Sequence, residues 1–345
     1  LEHLDPDSLR IRRWGDTSEV ESTKLLFQPG DIIFGKRRVY QRKVAVADFE
    51  GICSAHAMVL RAKPETVMPD FLPFFMQSDL FMERALSISV GSLSPTINWK
   101  ALAKEEFLLP PIQEQARIVE ALRAIDEADE SARNLISSIE KLLKSFRSEA
   151  LSDGDAFRLD QVCTLRGGSG FKPSAQGLAV GEIPFIKVSD MERDGNEKYI
   201  QSAANYVSRE TARDLRATIF PPETTVFAKV GEALRQNRRR LLVHETCIDN
   251  NMMAAIPDKS FLLPEYLFLL LSEIDFGDLV QEGTVPSVNQ ATLGACEVAV
   301  PSLSEQAEIV ERVSEIDAAH AAARTRQQKL RSVRAQIINR SFENV

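Results

Sequence analysis

Residues 301–317 read PSLSEQAEIVERVSEID, and residues 110–126 read PPIQEQARIVEALRAID. The two stretches stand 191 residues apart, and their register extends further. Across 94–126 and 285–317, thirteen of 33 positions are identical. Pro95 falls on Pro286, Asn98 on Asn289, Leu102 on Leu293 and Pro110 on Pro301. Glu114-Gln115 then falls on Glu305-Gln306, and Ile118-Val119-Glu120 on Ile309-Val310-Glu311.

Upstream the likeness continues with small shifts. GDIIFGK (30–36) resembles TTVFAK (224–229), PDFLPFF (69–75) resembles PEYLFLL (264–270), and Cys53 falls close to Cys247. A period this long is a duplicated domain and not a solenoid array. Each unit opens with short strand-like runs (Asp31-Ile32-Ile33-Phe34; Thr225-Val226-Phe227), turn residues and one or two helices. A long helical segment follows each. The expected division is a globular part over 1–111, a helix over 112–150, a second globular part over 155–302 and a second helix over 303–342. Residue 1 aligns near 187–193 of the second unit, so the first is expected to lack roughly 30–40 leading residues.

In the first helix, apolar residues fall at Ile118, Leu122, Ile125, Ala132, Ile136, Ile139, Leu143 and Phe146, a 4-and-3 spacing broken only by Asp129. That is a coiled-coil seam. The second helix repeats it at Ile309, Val313, Ile316, His320 and Ala323, resuming at Leu330 and Ile337. Ser302 and Glu305 have the spacing of a capping box. Both helices begin acidic (Glu114 to Glu130; Glu305 to Asp317) and end basic (Lys141, Lys144, Arg147; Arg324 to Arg334). Antiparallel pairing sets each acidic half against a basic one. The expectation is an antiparallel two-helix rod of ~50–58 Å at 1.5 Å per residue, with one globular unit at each end related by a pseudo-twofold axis. A hairpin inside one large domain is the competing reading. His320 reads as a partly buried structural histidine, with a polar His320–Asp129 pair marking the middle of the rod.

With 345 residues, 44% hydrophobic and 27% charged, the chain has the composition of a globular protein of two or three domains. No apolar run approaches ~18 residues, and the first residues have no signal-peptide pattern, so a cytoplasmic protein is expected. Cys53, Cys163, Cys247 and Cys296 are scattered without a CxxC pair, which argues for buried thiols and against a zinc site.

Catalytic patterns are lacking. His3, His56, His244 and His320 make no HExxH spacing, and GGSG at 167–170 has no GK[ST] frame. The diprolines Leu109-Pro110-Pro111-Ile112 and Phe220-Pro221-Pro222-Glu223 are not the Asn/Asp-Pro-Pro-aromatic pocket of an adenine methyltransferase. Pro69-Asp70 and Pro257-Asp258 are present, but no lysine has an acid two residues before it, as a (D/E)xK nuclease needs. A non-catalytic chain with no metal and no cofactor is expected.

The net charge of −8 argues mildly against nucleic acid, yet binding responds to local patches. Two basic clusters follow the shared Phe-x-Lys strand. KRRVYQRK (36–43) holds Lys36, Arg37, Arg38, Tyr40, Arg42 and Lys43 without an acid. LRQNRRR (234–240), beyond Lys229, holds Arg235, Gln236, Asn237, Arg238, Arg239 and Arg240. Arginine forks suit guanine edges and phosphates, and Asn and Gln suit adenine edges. Either run alone reads as a solvated loop; two at matching places in an acidic chain point to DNA. IDNNMM (248–253) aligns near SAHAMV (54–59), and VGSLSPTIN (90–98) with EGTVPSVN (282–289). Asn250, Asn251, Asn98 and Asn289 read equally as base contacts or as turn and cap residues.

These stretches, with IPFIKVSDM (183–191), GDIIFGKRRVYQRK (30–43) and TVFAKVGEALRQNRRRL (225–241), resemble the specificity subunits of type I restriction-modification systems over essentially the whole chain. The resemblance implies an α+β fold: two mixed α/β target recognition domains, each reading one half of a split double-stranded DNA sequence, separated by an antiparallel coiled-coil spacer. It implies that the spacer helices, with Glu114, Gln115, Glu305 and Gln306, dock two modification (methyltransferase) subunits, which recruit restriction subunits. The assembled complex would then be a DNA adenine methyltransferase and endonuclease. The alternatives are a recognition subunit of another methyltransferase-nuclease assembly, or a coiled-coil protein-binding scaffold without a DNA role.

Overall fold

The computed structural model describes residues 2–6, 8–16, 24–280 and 285–343. Residues 282–284 of the aligned loop at 282–289 therefore lie outside the described residues. Contacts divide the chain into two compact units, Leu1–Ser138 with His320–Val345, and Ile139–Ala319. Where the four-segment expectation keeps each long helix whole, here each contributes to both units, divided after Ser138 and after Ala319.

The first unit contains β1 (Lys24–Phe27), β2 (Ile32–Gly35), β3 (Val44–Val46), β4 (Gly51–Ser54) and β5 (Ala57–Leu60). Three short helices follow, α1 (Leu72–Met76), α2 (Asp79–Ser87) and α3 (Trp99–Leu102), before the long α4 (Ile112–Ala150). The apolar run Ile32-Ile33-Phe34-Gly35 is buried on both faces and forms the central strand, antiparallel to β3 (Phe34 opposite Val44) and β5 (Phe34 opposite Met58). Strands β1 and β4 pair separately. Phe34, Phe71, Phe74, Phe75 and Phe81 form the core with Ile118, Val119 and Leu122 of α4. Phe75 meets Phe81, Phe107 and Phe342 edge-on at 5.1–5.6 Å, a geometry that aromatic quadrupoles favour.

The second unit runs β6 (Asp155–Arg158), α5 (Leu159–Val162), β7 (Cys163–Gly167), β8 (Ile183–Ile186), β9 (Tyr199–Ile200), β10 (Tyr206–Val207), α6 (Arg209–Asp214) and β11 (Ile219–Phe220). It continues with β12 (Thr225–Ala228), α7 (Glu232–Arg235), β13 (Arg239–Leu242), β14 (Thr246–Ile248), β15 (Met252–Pro257), α8 (Pro264–Glu273), α9 (Gln290–Gly294), β16 (Glu297–Val300) and the long α10 (Leu303–Glu343). One sheet has the order β7-β15-β12-β13-β9 and another β10-β8-β14-β11, while β16 pairs with β6. The duplication is visible in the ladders. β12 lies between β13 and β15 as β2 lies between β3 and β5, with Phe227 in the place of Phe34. Tyr199 runs parallel to Leu241 as Arg10 does to Val46.

The seam residues of both helices are buried or half-buried. Within the first unit, Arg334 Nε reaches Asp126 at 2.5 Å and Arg331 Nε reaches Asp129 at 3.2 Å. Three residues back on α10 match three forward on α4, so the helices run antiparallel, acidic half on basic half. Within the second unit, Arg147 reaches Asp317 at 3.6 Å. Arg334 is buried, donates to Gln77 Oε1 and lies over the Phe74 ring. His320 is half-buried. Its Nε2 accepts from Arg324, and Asp129 serves Arg331 and Arg133, which replaces the expected His320–Asp129 pair.

The repeated Glu-Gln has an internal purpose that corrects part of the partner-binding expectation. Gln115 and Gln306 are buried. Gln115 Nε2 donates to Pro110 O, and Oε1 accepts from Met68 N (2.8 and 2.9 Å). Gln306 donates to Pro301 O and Phe261 O and accepts from Leu263 N. Each amide clips its helix start to the segment before α1 or α8, so neither faces a partner. Glu114 is exposed, and Glu305 closes the capping box with Ser302 N and Oγ (2.9 and 2.6 Å).

Removing either clip strands buried backbone groups, at about 1–3 kcal/mol for each unsatisfied set. Gln306→Ala should lower the unfolding free energy measured in urea accordingly, while Glu114→Ala changes it by less than ~0.5 kcal/mol. Asp31 offers a pH test. It is buried and accepts from Arg61 Nε and Nη2 (2.5 and 2.9 Å) and Gln28 N, and the Arg61 hydrogen bonds hold its carboxyl below the usual range. A depressed carboxylate pKa stabilises the fold above the unfolded value of ~3.9, and that stability is lost as pH falls through the folded one. Asp31→Asn should destabilise at pH 7, with the difference closing as the pH drops below ~4.

Candidate nucleic-acid interface

Two loops occupy the same place in the two units: 36–43 between β2 and β3, and 229–238 between β12 and β13. Their backbones are fastened alike. Lys36 N donates to His56 O and Lys229 N to Asn251 O (3.0 and 2.9 Å). Ile97 N donates to Lys36 O and Val288 N to Lys229 O (both 3.0 Å). Arg38 N donates to Pro95 O and Gly231 N to Pro286 O (2.7 and 2.8 Å). Asn98 and Asn289 complete the frame as N-caps of α3 and α9, taking Lys100 N and Thr292 N. The even choice between cap and base contact resolves as caps.

In the first loop, Arg38 and Tyr40 are exposed, and Arg38 Nε donates to Ser94 Oγ at 3.4 Å. Lys36 is half-buried. Arg37 Nη1 donates to His56 Nε2 at 3.0 Å. Arg37, Arg38, Gln41 and Lys43 line an open cavity of about 350 Å³ with Glu2. Arg42 is turned away, donating to Asp79 Oδ1 and Gln77 O (2.6 and 2.7 Å), so it anchors the loop to the α1–α2 junction.

In the second loop the cluster divides. Arg239 is 3% exposed, stacks 3.5 Å from the Phe276 ring centroid and donates to Leu271 O and Ile274 O. Burial pulls its pKa down to about 9. It belongs to the core, not to DNA. Asn237 is also structural: it donates to Asp275 Oδ1 and accepts from Phe276 N (2.6 and 2.9 Å). Arg240 is half-buried on Arg239 O and Met191 O, and Arg238 is paired with Glu192. Arg235 and Gln236 are exposed; Arg235 lies 3.9 Å from Glu232.

Asn250 and Asn251 are exposed on the adjoining turn, and Asn251 N donates to Asp249 Oδ1 (3.0 Å). Burial raises the Asp249 pKa. The GGSG turn packs here as well: Gly168 N donates to Met252 O, and a Cβ on Gly168 would meet Asp249 O at 1.9 Å. His56, considered in the sequence only as a histidine without metal-site spacing, stands where Asn251 does in the second unit. The ladders set Met58 against Phe34 and Met253 against Phe227, one residue from the register in which SAHAMV aligns with IDNNMM.

The four cysteines are unpaired, and burial pushes Cys163 and Cys247 to about 12 and about 11, so they are inert thiols. Among the described residues no group of three or more His, Cys, Asp or Glu forms a metal site, and no helix is long and apolar enough to cross a membrane.

Arg38 and Arg42 both have left-handed backbones (φ 56° and 55°), which costs a non-glycine residue about 1–2 kcal/mol. Glycine relieves that strain, so the two substitutions separate loop from anchor. Arg38→Gly should leave thermal stability within ~0.5 kcal/mol and weaken DNA binding. Arg42→Gly should lower stability by removing the bonds to Asp79 and Gln77.

The model of the type I restriction modification DNA specificity domain matches residues 14–141 and 152–332. The specificity subunit of the type I restriction enzyme EcoDI from Escherichia coli is 30% identical over 135 residues, which is 38% of this chain and 30% of that subunit. The EcoKI specificity subunit from Escherichia coli strain K12 is 20% identical across 92% of this chain and 77% of its own length. A chain from a solved structure concerning assembly and conformational transition of the type I R-M system shares the fold, with a TM-score of 0.62 at 20% identity over 94% of this chain and 84% of that one. Matched by that domain model along most of its length, the chain belongs to the type I restriction-modification DNA specificity family.

Proposed function

We propose that the chain is the DNA-recognition subunit of a type I restriction-modification complex, each unit reading one half of a split double-stranded target. The observation that carries this is a repeated backbone frame filled with unrepeated side chains. The same three pairs of backbone hydrogen bonds hold a loop with Arg37, Arg38, Tyr40, Lys43 and His56 in one unit and Lys229, Arg235, Gln236, Asn250 and Asn251 in the other. One frame with two fillings suits two different half-sites. Guanidinium and ammonium groups take phosphates and guanine edges, and the amides take adenine edges.

The chain itself contributes recognition and leaves the chemistry to others. Its long helices dock two methyltransferase subunits in the cytoplasm, and restriction subunits join through those. Exposed Glu114, at the first turn of α4, remains a partner contact under this reading; Gln115 and Gln306 do not.

Selection from random duplex pools, using the chain with its modification subunit, should enrich two half-sites separated by a fixed gap. Replacing Arg235, Gln236, Asn250 and Asn251 with alanine should erase one half-site and leave the other. For every phosphate left without its cation, the slope of log K against log salt should flatten by about one unit. Binding that shows no salt dependence, with or without the partner, would support the protein-binding scaffold in its place.

A further inference from the structure

Residues 90–96 form a small hairpin closed by Val90 N to Thr96 O and Thr96 N to Val90 O, both 3.0 Å. The hairpin is joined to the basic loop at three points: the Arg37–Thr96 bridge, Arg38 N on Pro95 O, and Arg38 Nε on Ser94 Oγ. It carries Leu93 at 90% exposure and Val90 at 79%. A single exposed leucine on a protein surface needs no explanation. In the second unit Val285, 54% exposed, holds the place of Ser94, directly before Pro286, whose carbonyl takes Gly231 N as Pro95 takes Arg38 N. Both units thus hold an exposed apolar side chain beside the loop that carries the cations.

We propose that Leu93 is a base-reading residue that packs on the 5-methyl group of a thymine in the first unit's half-site. This rests on the DNA-reading function proposed above. The cations of the same loop draw the hairpin against the duplex, and Arg38, fastened to Ser94 and Pro95, brings its guanidinium to the backbone beside it. Among the base edges of a groove floor, the apolar group on offer is the thymine methyl. Leu93 contributes nothing to charge neutralisation, so its effect is on selectivity and not on the salt slope.

The test uses the chain with its modification subunit and the duplex enriched by selection, prepared once with thymine and once with uracil throughout. The wild type should bind the uracil duplex more weakly, and Leu93→Ser should cut the thymine-to-uracil affinity ratio by about fourfold, the equivalent of ~0.8 kcal/mol for one buried methyl group. Leu93→Val should retain most of the ratio, and the salt slope should be the same for all three proteins. Because the side chain is in water, Leu93→Ser should unfold at the wild-type temperature. A thymine-to-uracil ratio of one in the wild type, or an unchanged ratio in Leu93→Ser, overturns the proposal. So does weakened binding of the modification subunit by Leu93→Ser with the ratio intact, since the hairpin would then dock a protein. Failure of the broader reading looks different: no duplex is bound in a salt-sensitive way by any of the three.

Discussion

Antiparallel pairing of α4 with α10 is the constraint on which the first unit depends. Each helix carries an apolar seam, and each is acidic first and basic last. Within this unit the seam closes when the end of α10 lies along the start of α4, with Arg334 on Asp126 and Arg331 on Asp129. The partnership reaches into the core. Ile338 and Phe342, from the last turns of α10, complete the phenylalanine cluster built around Phe71 and Phe75. The first unit is therefore unfinished until the far end of α10 has folded onto it, and its decisive pairings join distant parts of the chain, as with Asn339 on Asp79 across 260 residues. Such pairings carry a high loop-closure cost, which many buried aromatic contacts offset.

The duplication is more faithful in backbone hydrogen bonds than in sequence. Outside the stretch around the helix starts the two units share few side chains, yet the loop after the central strand is fastened by the same backbone bonds in both, with Arg38 N on Pro95 O where Gly231 N is on Pro286 O and Lys36 N on His56 O where Lys229 N is on Asn251 O. What recurs is what an inward-facing group must do to hold a loop, a cap or a helix start. What varies is what points to solvent. That separation lets a recognition surface change without loss of the fold beneath it.

The sequence made the helices, their direction and the two-unit plan legible, because periodicity and charge order are properties of a linear string. It was less informative about which way a side chain points. Arg239 is a cation in a run of cations, and only its place opposite Phe227 on β13 turns it into the core, where Phe276 and two carbonyls receive it. Gln115 did carry a signal: it stands three and four residues before Ile118 and Val119, on the buried face of α4. A polar residue in an apolar register is a hydrogen-bonded core residue more readily than a docking contact. The sharing of helices between the two units was not legible, because it rests on tertiary contact alone.

The acidic total now has a role that is not in conflict with DNA. A surface of net charge −8 repels the phosphate backbone wherever cations are not gathered. Cations that the fold uses internally, such as Arg42 on Asp79, Arg334 on Asp126 and Arg239 within the core, contribute little outward field. Under the proposed function, the cations that remain outward on the two loops, such as Arg38 and Arg235, stand beside groups that can tell bases apart. On that reading non-specific attraction is small over most of the surface, and what attraction there is falls beside the proposed base-reading groups. Discrimination between sequences is a difference of affinities, and it grows when the non-specific term is kept low.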